Sequence, residues 1–343
     1  MAYKKGFSTY IMEKIPSVIS FAGVVSKKEG QGPLAKYFDI ICEDTAFGEQ
    51  TWEKAESRMQ KDAVNKALEK SSLSQRDMDI ILAGDLLNQC TGSTFGIREM
   101  GIPYIGIYGA CSTMAESIVL SSMLLDSGTI KKALAVTSSH FCTAERQYRF
   151  PLEYGGVRPP SSQWTVTGAG AVILGENNQI APFVKAVTIG TIEDLGVKDA
   201  NNMGAAMAPA AAKTLCNFFH DTMTTPSAYD MIITGDLGII GSKLLNELME
   251  KEGYPIINNH ADCGVLIYNI EEQDVHSGGS GCGCCATVLS SYILPAIRRN
   301  ELKKVLFVAT GALLSTTSIQ QGESIPCIAH LVYFSSDDKK ELI

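Results

Sequence analysis

Positive charge is in short supply in this chain. Its 343 residues carry 29 lysines and arginines against 37 aspartates and glutamates, a formal net charge of −8 at pH 7. That balance argues against a nucleic-acid partner and removes any general attraction to anionic lipid. Long apolar runs are missing too. The longest stretch without a charged residue, Val275 to Ile297, opens on glycine, serine and cysteine, so it reads as a turn feeding a buried helix and not as a membrane span. Lys4 and Lys5 are followed by Glu13 and Lys14, which interrupt the apolar run that a signal peptide needs. The expectation is a soluble protein that meets a membrane only through a partner.

Ten cysteines are few for a disulfide scaffold of this length, and several stand in apolar helix or strand contexts, which suits a reducing cytosolic compartment. Cys282-Gly-Cys-Cys285 lacks the spacing of a zinc site, and no second cysteine pair follows it. No acidic residue follows Gly281 and Gly283 at the distance a dinucleotide fingerprint requires, and there is no phosphate loop. No cofactor and no bound metal are expected. The cysteine–glycine cluster reads as small residues for close helix–sheet packing.

What is present is a chain 45% hydrophobic and 19% charged, enough for a large core and long enough for about two domains. Its centre is Tyr108-Gly-Ala-Cys-Ser-Thr-Met114, a tight turn from a strand through Ile105 and Ile107 into a helix from Thr113 to Leu125. Met114, Ile118, Val119, Met123 and Leu124 fall at helical spacing. Cys111 therefore stands at a helix N-terminus, where free N–H groups and the macrodipole favour a thiolate. Two readings of Cys111 stand: a small buried residue, or a residue lining a site.

The chain repeats itself. Asp79-Ile-Ile-Leu-Ala-Gly-Asp85-Leu86 returns as Asp230-Met-Ile-Ile-Thr-Gly-Asp236-Leu237. Val119-Leu-Ser-Ser122 and Lys131-Lys-Ala-Leu-Ala-Val136 return as Val288-Leu-Ser-Ser291 and Lys303-Lys-Val-Leu-Phe-Val308. The order in each set is strand, glycine turn, helix, strand, which marks a duplication. Alternating strands and helices imply parallel sheets covered by helices. The halves are expected at 1–175 and 176–343, joined at the polar Glu176 to Gln179. Two sheets about a pseudo-twofold axis would sandwich the charge-poor helices after Cys111 and Cys285. Glu116 is the exception in the first helix, and is expected to reach a polar partner or the site.

Ligands in parallel α/β folds bind beyond the C-terminal ends of strands. Four turns should meet there: Gly84-Asp85, Gly109 to Ser112, Gly235-Asp236 and His276 to Cys285. A cysteine with a histidine across the pseudo-twofold would suit nucleophilic acyl transfer; His276 is equally an ordinary loop histidine. Ser138 to Gly168 gathers Arg146, Arg149, Arg158, His140 and five aromatic residues. Arginine forks match carboxylates and aromatic faces stack on rings, so the segment could hold a planar anion. It could also be a surface lid whose arginines pair with Glu145 and Glu153.

The Ala-Cys-Ser turn, Thr167-Gly-Ala-Gly-Ala171 and the duplicated unit resemble the thiolase and ketoacyl-synthase superfamily. More closely, the chain resembles the stage V sporulation protein AD family of endospore-forming bacteria. The residues carrying that likeness are Gly109-Ala-Cys-Ser-Thr113, Glu145 to Gly155, Ser162 to Gly170, His276 to Gly283, Gly311 to Ser315 and Gln320 to Pro326. The resemblance implies a thiolase-like, duplicated five-layer αβαβα fold. It also implies binding of dipicolinic acid, or its calcium chelate, for loading the developing spore and for release at germination. The family's partners are the membrane SpoVA proteins at the spore inner membrane, and thiolase-like halves commonly pair as homodimers through the strand leading to the nucleophile.

Departures from the enzymes matter more. Cys111 stands where condensing enzymes keep their nucleophile, and His276 falls near a thiolase histidine with the glycine pattern one residue shorter. Gly235-Asp236 replaces the histidine of a ketoacyl synthase, a glycine replaces its asparagine, and Ala309-Thr-Gly311 lacks the second thiolase cysteine. Donors for an enolate oxygen and a base for proton exchange thus look lost. The resulting expectation is a non-catalytic pocket bounded by Cys111, Asp236 and His276, with His140 and Arg146 or Arg149 meeting the ligand carboxylates. The alternatives are an acyl-transferring enzyme using Cys111 and His276, or a structural adaptor.

Overall fold

The computed structural model describes residues 1–148 and 157–340. Its strands are β1 (Tyr3–Lys5), β2 (Thr9–Ile11), β3 (Ser17–Ser26), β4 (Ile40–Cys42), β5 (Ile80–Gly84), β6 (Tyr104–Gly106), β7 (Lys132–Ser139), β8 (Trp164–Thr165), β9 (Gly168–Gly175), β10 (Phe183–Thr188), β11 (Met231–Thr234), β12 (His260–Asp262), β13 (Gly279–Ser280), β14 (Lys304–Ala312) and β15 (Cys327–Ser335). The helices are α1 (Trp52–Ser71), α2 (Thr91–Ile97), α3 (Thr113–Ser127), α4 (Phe141–Tyr148), α5 (Met203–Thr222), α6 (Gly238–Lys251), α7 (Cys263–Leu266), α8 (Cys282–Val288), α9 (Leu294–Arg298) and α10 (Thr316–Gln320).

The main sheet runs β12-β11-β14-β15-β10-β3-β9-β7-β5-β6. That order is palindromic: β3, β5, β6, β7 and β9 occupy the places that β10, β11, β12, β14 and β15 occupy on the other side. A twofold axis between β3 and β10 would generate it. Two details differ from the sequence reading. Each half is mixed and not all parallel, because β9 runs antiparallel to β3 and β7, and β15 antiparallel to β10 and β14. The halves are also hydrogen-bonded into one sheet, through antiparallel pairing of β10 with β3 at Phe183 and Ser17 and with β2 from Ala186 to Thr188.

Both faces of the sheet are apolar, with the period of two that strands impose. Along β9, Ala169, Ala171 and Ile173 face α1, while Val172 and Leu174 face the middle of the molecule. Along β14, Leu306 and Val308 face α5, while Val305, Phe307 and Ala309 face the middle. The middle layer is α3 and α8, packed against strands of both halves. The layers are therefore α1/α2, sheet, α3/α8, sheet and α5/α6. The second buried helix continues from α8 through a π-turn, Leu289–Ile293, into α9.

Close packing at α8 requires glycine. A Cβ on Gly283 would lie 2.3 Å from the Gly168 carbonyl oxygen and 2.8 Å from the Ser139 nitrogen. The neighbouring thiols donate to backbone carbonyls: Cys282 to Ser138, Cys284 to Gly235 and Cys285 to Cys111. Among the described residues, no helix is long and apolar enough to cross a membrane.

Candidate functional site

The turn ahead of α3 is built by its own small side chains. Ser112 Oγ donates to the Gly109 carbonyl, and Thr113 Oγ1 accepts from the Gly109 N–H and donates to the Ala110 carbonyl. A Cβ on Gly109 would come within 2.4 Å of Glu116 Oε2, so a larger residue there would displace the Glu116 carboxyl. Ala110 sits in the left-handed region at φ 51°, unusual for a residue with a Cβ, and sets Cys111 at the end of a sharp reversal. Glu116, expected to find a polar partner, lies against this turn with Oε2 buried and without a hydrogen bond; burial raises its pKa.

Cys111 is 6% exposed and faces the Asp236 carboxylate. Asp236 is fully buried and held on both oxygens. Oδ2 accepts from Ser280 Oγ at 3.1 Å and from the Gly281 N–H at 3.0 Å, and Oδ1 accepts from Thr310 Oγ1 at 2.9 Å. The turn after β11, the end of β13 and strand β14 thus meet at Asp236 beside the sulfur; the first two belong to turns expected to converge, while β14 was not among them. Electrostatics run against the expected thiolate. Burial pushes the Cys111 thiol well above its usual range, and the negative charge of Asp236 pushes it further. Desolvation and a facing anion outweigh the helix N-terminus.

In front of Cys111 lies a cavity of about 510 Å³, open mouth included, whose walls are mostly apolar: Leu86, Ala110, Ala144, Met203, Ala312 and Leu314. Tyr108, Tyr148, Glu145, Thr165 and Ser280 supply its polar groups. Glu145 Oε1 accepts from Thr165 Oγ1 at 3.0 Å. Sequence reasoning singled out neither tyrosine nor Glu145 as a pocket wall, although all three lie in segments it quoted. Met203 had no local signal at all, because it reaches the cavity only through the docking of α5.

Of the other predicted site residues, Asp236 stands directly behind the sulfur. His140, by contrast, is turned away from the cavity. Its Nδ1 accepts from the Cys142 N–H, its Nε2 donates to the Thr45 carbonyl at 2.8 Å, and its ring packs on Trp52. Burial lowers its pKa. His276 is also absent from the cavity lining: Nδ1 lies 2.8 Å from the Pro159 carbonyl oxygen and Nε2 3.1 Å from Asp274 Oδ1. The Ser277 N–H bonds the Ser162 carbonyl, folding the loop onto residues 158–162 and carrying the ring away from Cys111. Arg146 pairs with Glu53 in an outer groove with Thr51 and Trp52. Arg149 falls outside the described residues, as does Glu153.

The arginine–aromatic reading has a structural counterpart elsewhere. Trp164 stacks on Phe141 at 3.9 Å, while Lys28 Nζ and Arg158 Cζ lie 3.9 Å and 4.9 Å from the Trp164 ring centre. Arg158 bonds Asp274. This cluster ties three loops together. The Gly84-Asp85 turn also lies one layer behind the cavity: Asp85 accepts from Ser93 and from the Leu87 N–H. Beside it, Glu56 accepts from Ser138 and Thr143.

Comparison with known proteins agrees with this architecture. The family profile described as Stage V sporulation protein AD (SpoVAD) matches residues 6–335. Stage V sporulation protein AD of Bacillus subtilis (strain 168) is 45% identical over 330 residues, covering 96% of this chain and 97% of that protein. Among solved structures, 3-oxoacyl-[acyl-carrier-protein] synthase III of Aquifex aeolicus VF5 superposes with a TM-score of 0.57 at 14% identity, covering 93% of this chain and 99% of the other. OleA of Xanthomonas campestris gives 0.62 at 12% identity, covering 95% and 99%. At such identities the likeness speaks for the fold alone, the thiolase-like fold of the condensing enzymes.

Proposed function

From a chain that belongs to the stage V sporulation protein AD family, we propose a sporulation protein that binds dipicolinate, alone or as its calcium chelate, in the cavity beside Cys111 without transforming it. Loading of the developing spore and release at germination would be the processes served. Membrane SpoVA proteins at the spore inner membrane would be the partners, with this chain peripheral to that membrane. A homodimer through the exposed edge strand β6 completes the proposal; Ile105 on that strand is 46% exposed, and its outer edge is the end of the sheet.

One observation carries the non-catalytic reading. The sulfur faces a buried carboxylate that disfavours its ionisation, and among the described residues lining the cavity there is no histidine to take its proton. A nucleophile needs an adjacent base or a lowered pKa; the Cys111 pKa is raised, and the carboxylate facing it is already held by Ser280, Gly281 and Thr310. The lining also favours an aromatic ring: it is mostly apolar and rimmed by two tyrosines. Arg149 remains a candidate partner for a ligand carboxylate. Arg146, already paired with Glu53, is not expected to contribute.

Isothermal titration with dipicolinate, with and without calcium, tests the reading. Saturable heat is expected from the wild-type protein and from Arg146→Ala, and its loss from Ala312→Trp, which fills the cavity. No saturable heat in either titration overturns ligand binding. A mass increase on Cys111 after incubation with acyl thioesters overturns the non-catalytic part and favours acyl transfer.

A further inference from the structure

The cavity beside Cys111 is one of two chambers. A second, outer chamber of about 860 Å³, open to solvent, is lined by Leu87, Asn88, Gln89, Gln147, Leu313 and Ser315. Tyr108, Tyr148 and Leu314 line both. The two tyrosines meet at this waist, with their hydroxyl oxygens 2.7 Å apart. Tyr148 also donates to the Leu86 carbonyl at 2.5 Å. A phenol has one proton, so once Tyr148 gives its proton to Leu86, Tyr108 must be the donor between the two rings. The bonds form a directed chain, Tyr108 to Tyr148 to Leu86, drawn across the passage between the chambers.

The end of α4 is held to the 86–90 loop by further bonds. Gln147 Nε2 donates to the Leu86 carbonyl at 3.0 Å and to Asn88 Oδ1 at 3.3 Å, and the Asn88 N–H donates to Gln147 Oε1 at 3.3 Å. Two consecutive residues of that loop, Gln89 and Cys90, hold left-handed φ values of 57° and 52°, a costly conformation for non-glycine residues.

We infer that the Tyr108–Tyr148 pair is a gate between an outer solvent chamber and the inner cavity, and that opening of the hydroxyl chain widens the approach of a small planar ligand to Cys111. The gate is local. Gln147 continues to serve the Leu86 carbonyl when the Tyr148 hydroxyl is removed, so Tyr148→Phe leaves no buried carbonyl without a donor. Rotation of the Tyr148 ring joins the two chambers without moving the sheet. The inference concerns access to the cavity that the dipicolinate reading uses, and it stands or falls on access alone.

Alkylation of Cys111 by iodoacetamide, followed by peptide mass spectrometry, tests it without any dipicolinate. The variants are Tyr108→Phe, Tyr148→Phe and the double substitution, each measured across a pH series, with half-buried Cys142 as internal reference. Breaking the chain should speed Cys111 alkylation by about 3- to 10-fold, less in Tyr108→Phe, which removes one of its two bonds, than in Tyr148→Phe, which removes both, at every pH and with the midpoint of the profile unmoved. The double variant should be no faster than the faster single one, since either substitution breaks the same chain. Unchanged Cys111 rates overturn the gate. So does a parallel rise at Cys142, which would mark general loosening, or a shifted midpoint with an unchanged plateau, which would mark an altered thiol. Weak dipicolinate binding combined with faster alkylation would refute the ligand and retain the gate.

Discussion

Asp236 decides what Cys111 can do. Its two oxygens bind Ser280, Gly281 and Thr310, and its charge adds to burial in raising the thiol pKa. Asp236→Asn separates the two roles. An asparagine oxygen can still accept from the Gly281 N–H, and the Thr310 hydroxyl can turn to accept from the new amide, so the loss of stability in chemical denaturation should be about 1–2 kcal/mol. With the negative charge gone, alkylation of Cys111 should begin at lower pH than in the wild type. An unmoved profile would mean that burial alone sets the sulfur. The same residue explains a shortfall of sequence reasoning. Placing Cys111 at a helix N-terminus is sound local physics, but the opposing charge comes from position 236 and is invisible until the halves are docked.

At the scale of elements, the outer layer over the first half of the sheet contains a second acidic pair. Glu56 on α1 and Asp85 after β5 are buried together, with Gly92 between them: a Cβ there would lie 3.2 Å from Asp85 Oδ2 and 3.4 Å from Glu56 Cδ. Burial, and then the Asp85 charge, push Glu56 up to about 8, and burial raises Asp85 as well. Hydroxyls of Ser138, Thr143 and Ser93 and the amide of Gln60 surround the pair, and among the described residues no basic side chain bonds either carboxylate. A carboxyl whose folded pKa lies above its unfolded value favours folding fully below the unfolded value, near pH 4.5, and loses that contribution as pH rises through the folded value near 8. Glu56→Gln should therefore raise the melting temperature relative to wild type at pH 9, with the gain shrinking towards pH 5. A gain independent of pH would rule out ionisation as its cause. The helix read from Thr113 to Leu125 is α3, which ends two residues later at Ser127. The strand read through Ile105 and Ile107 is β6, which ends at Gly106; all three of its residues are exposed, and among the described residues no strand pairs with its outer side.

For the whole molecule, that bare edge makes the oligomeric state the informative measurement. Sedimentation velocity is expected to give a dimer for the wild type and a monomer for Ile105→Arg, whose charge would be carried into the proposed strand pairing. A wild-type monomer refutes the pairing. A dimer that survives the substitution moves the interface elsewhere. The duplicated motifs, from Asp79/Asp230 to Lys131/Lys303, are matched by a palindromic strand order, whereas the mixed strand directions were not legible. β9 and β15 are apolar on both faces like any buried strand, and direction leaves no mark on composition.

Local sequence determined the elements: apolar periodicity drew the helices and strands, small residues marked where backbones must touch, and the repeat implied two matching halves. The contents of the cavity were decided by packing. Docking the halves set Asp236 against Cys111, moved Tyr108, Tyr148 and Met203 to the cavity walls, and left His140, His276 and Arg146 bonded elsewhere. Periodicity is a property of neighbours in the chain, while a site is made of residues far apart in it, and their meeting depends on how whole layers stack.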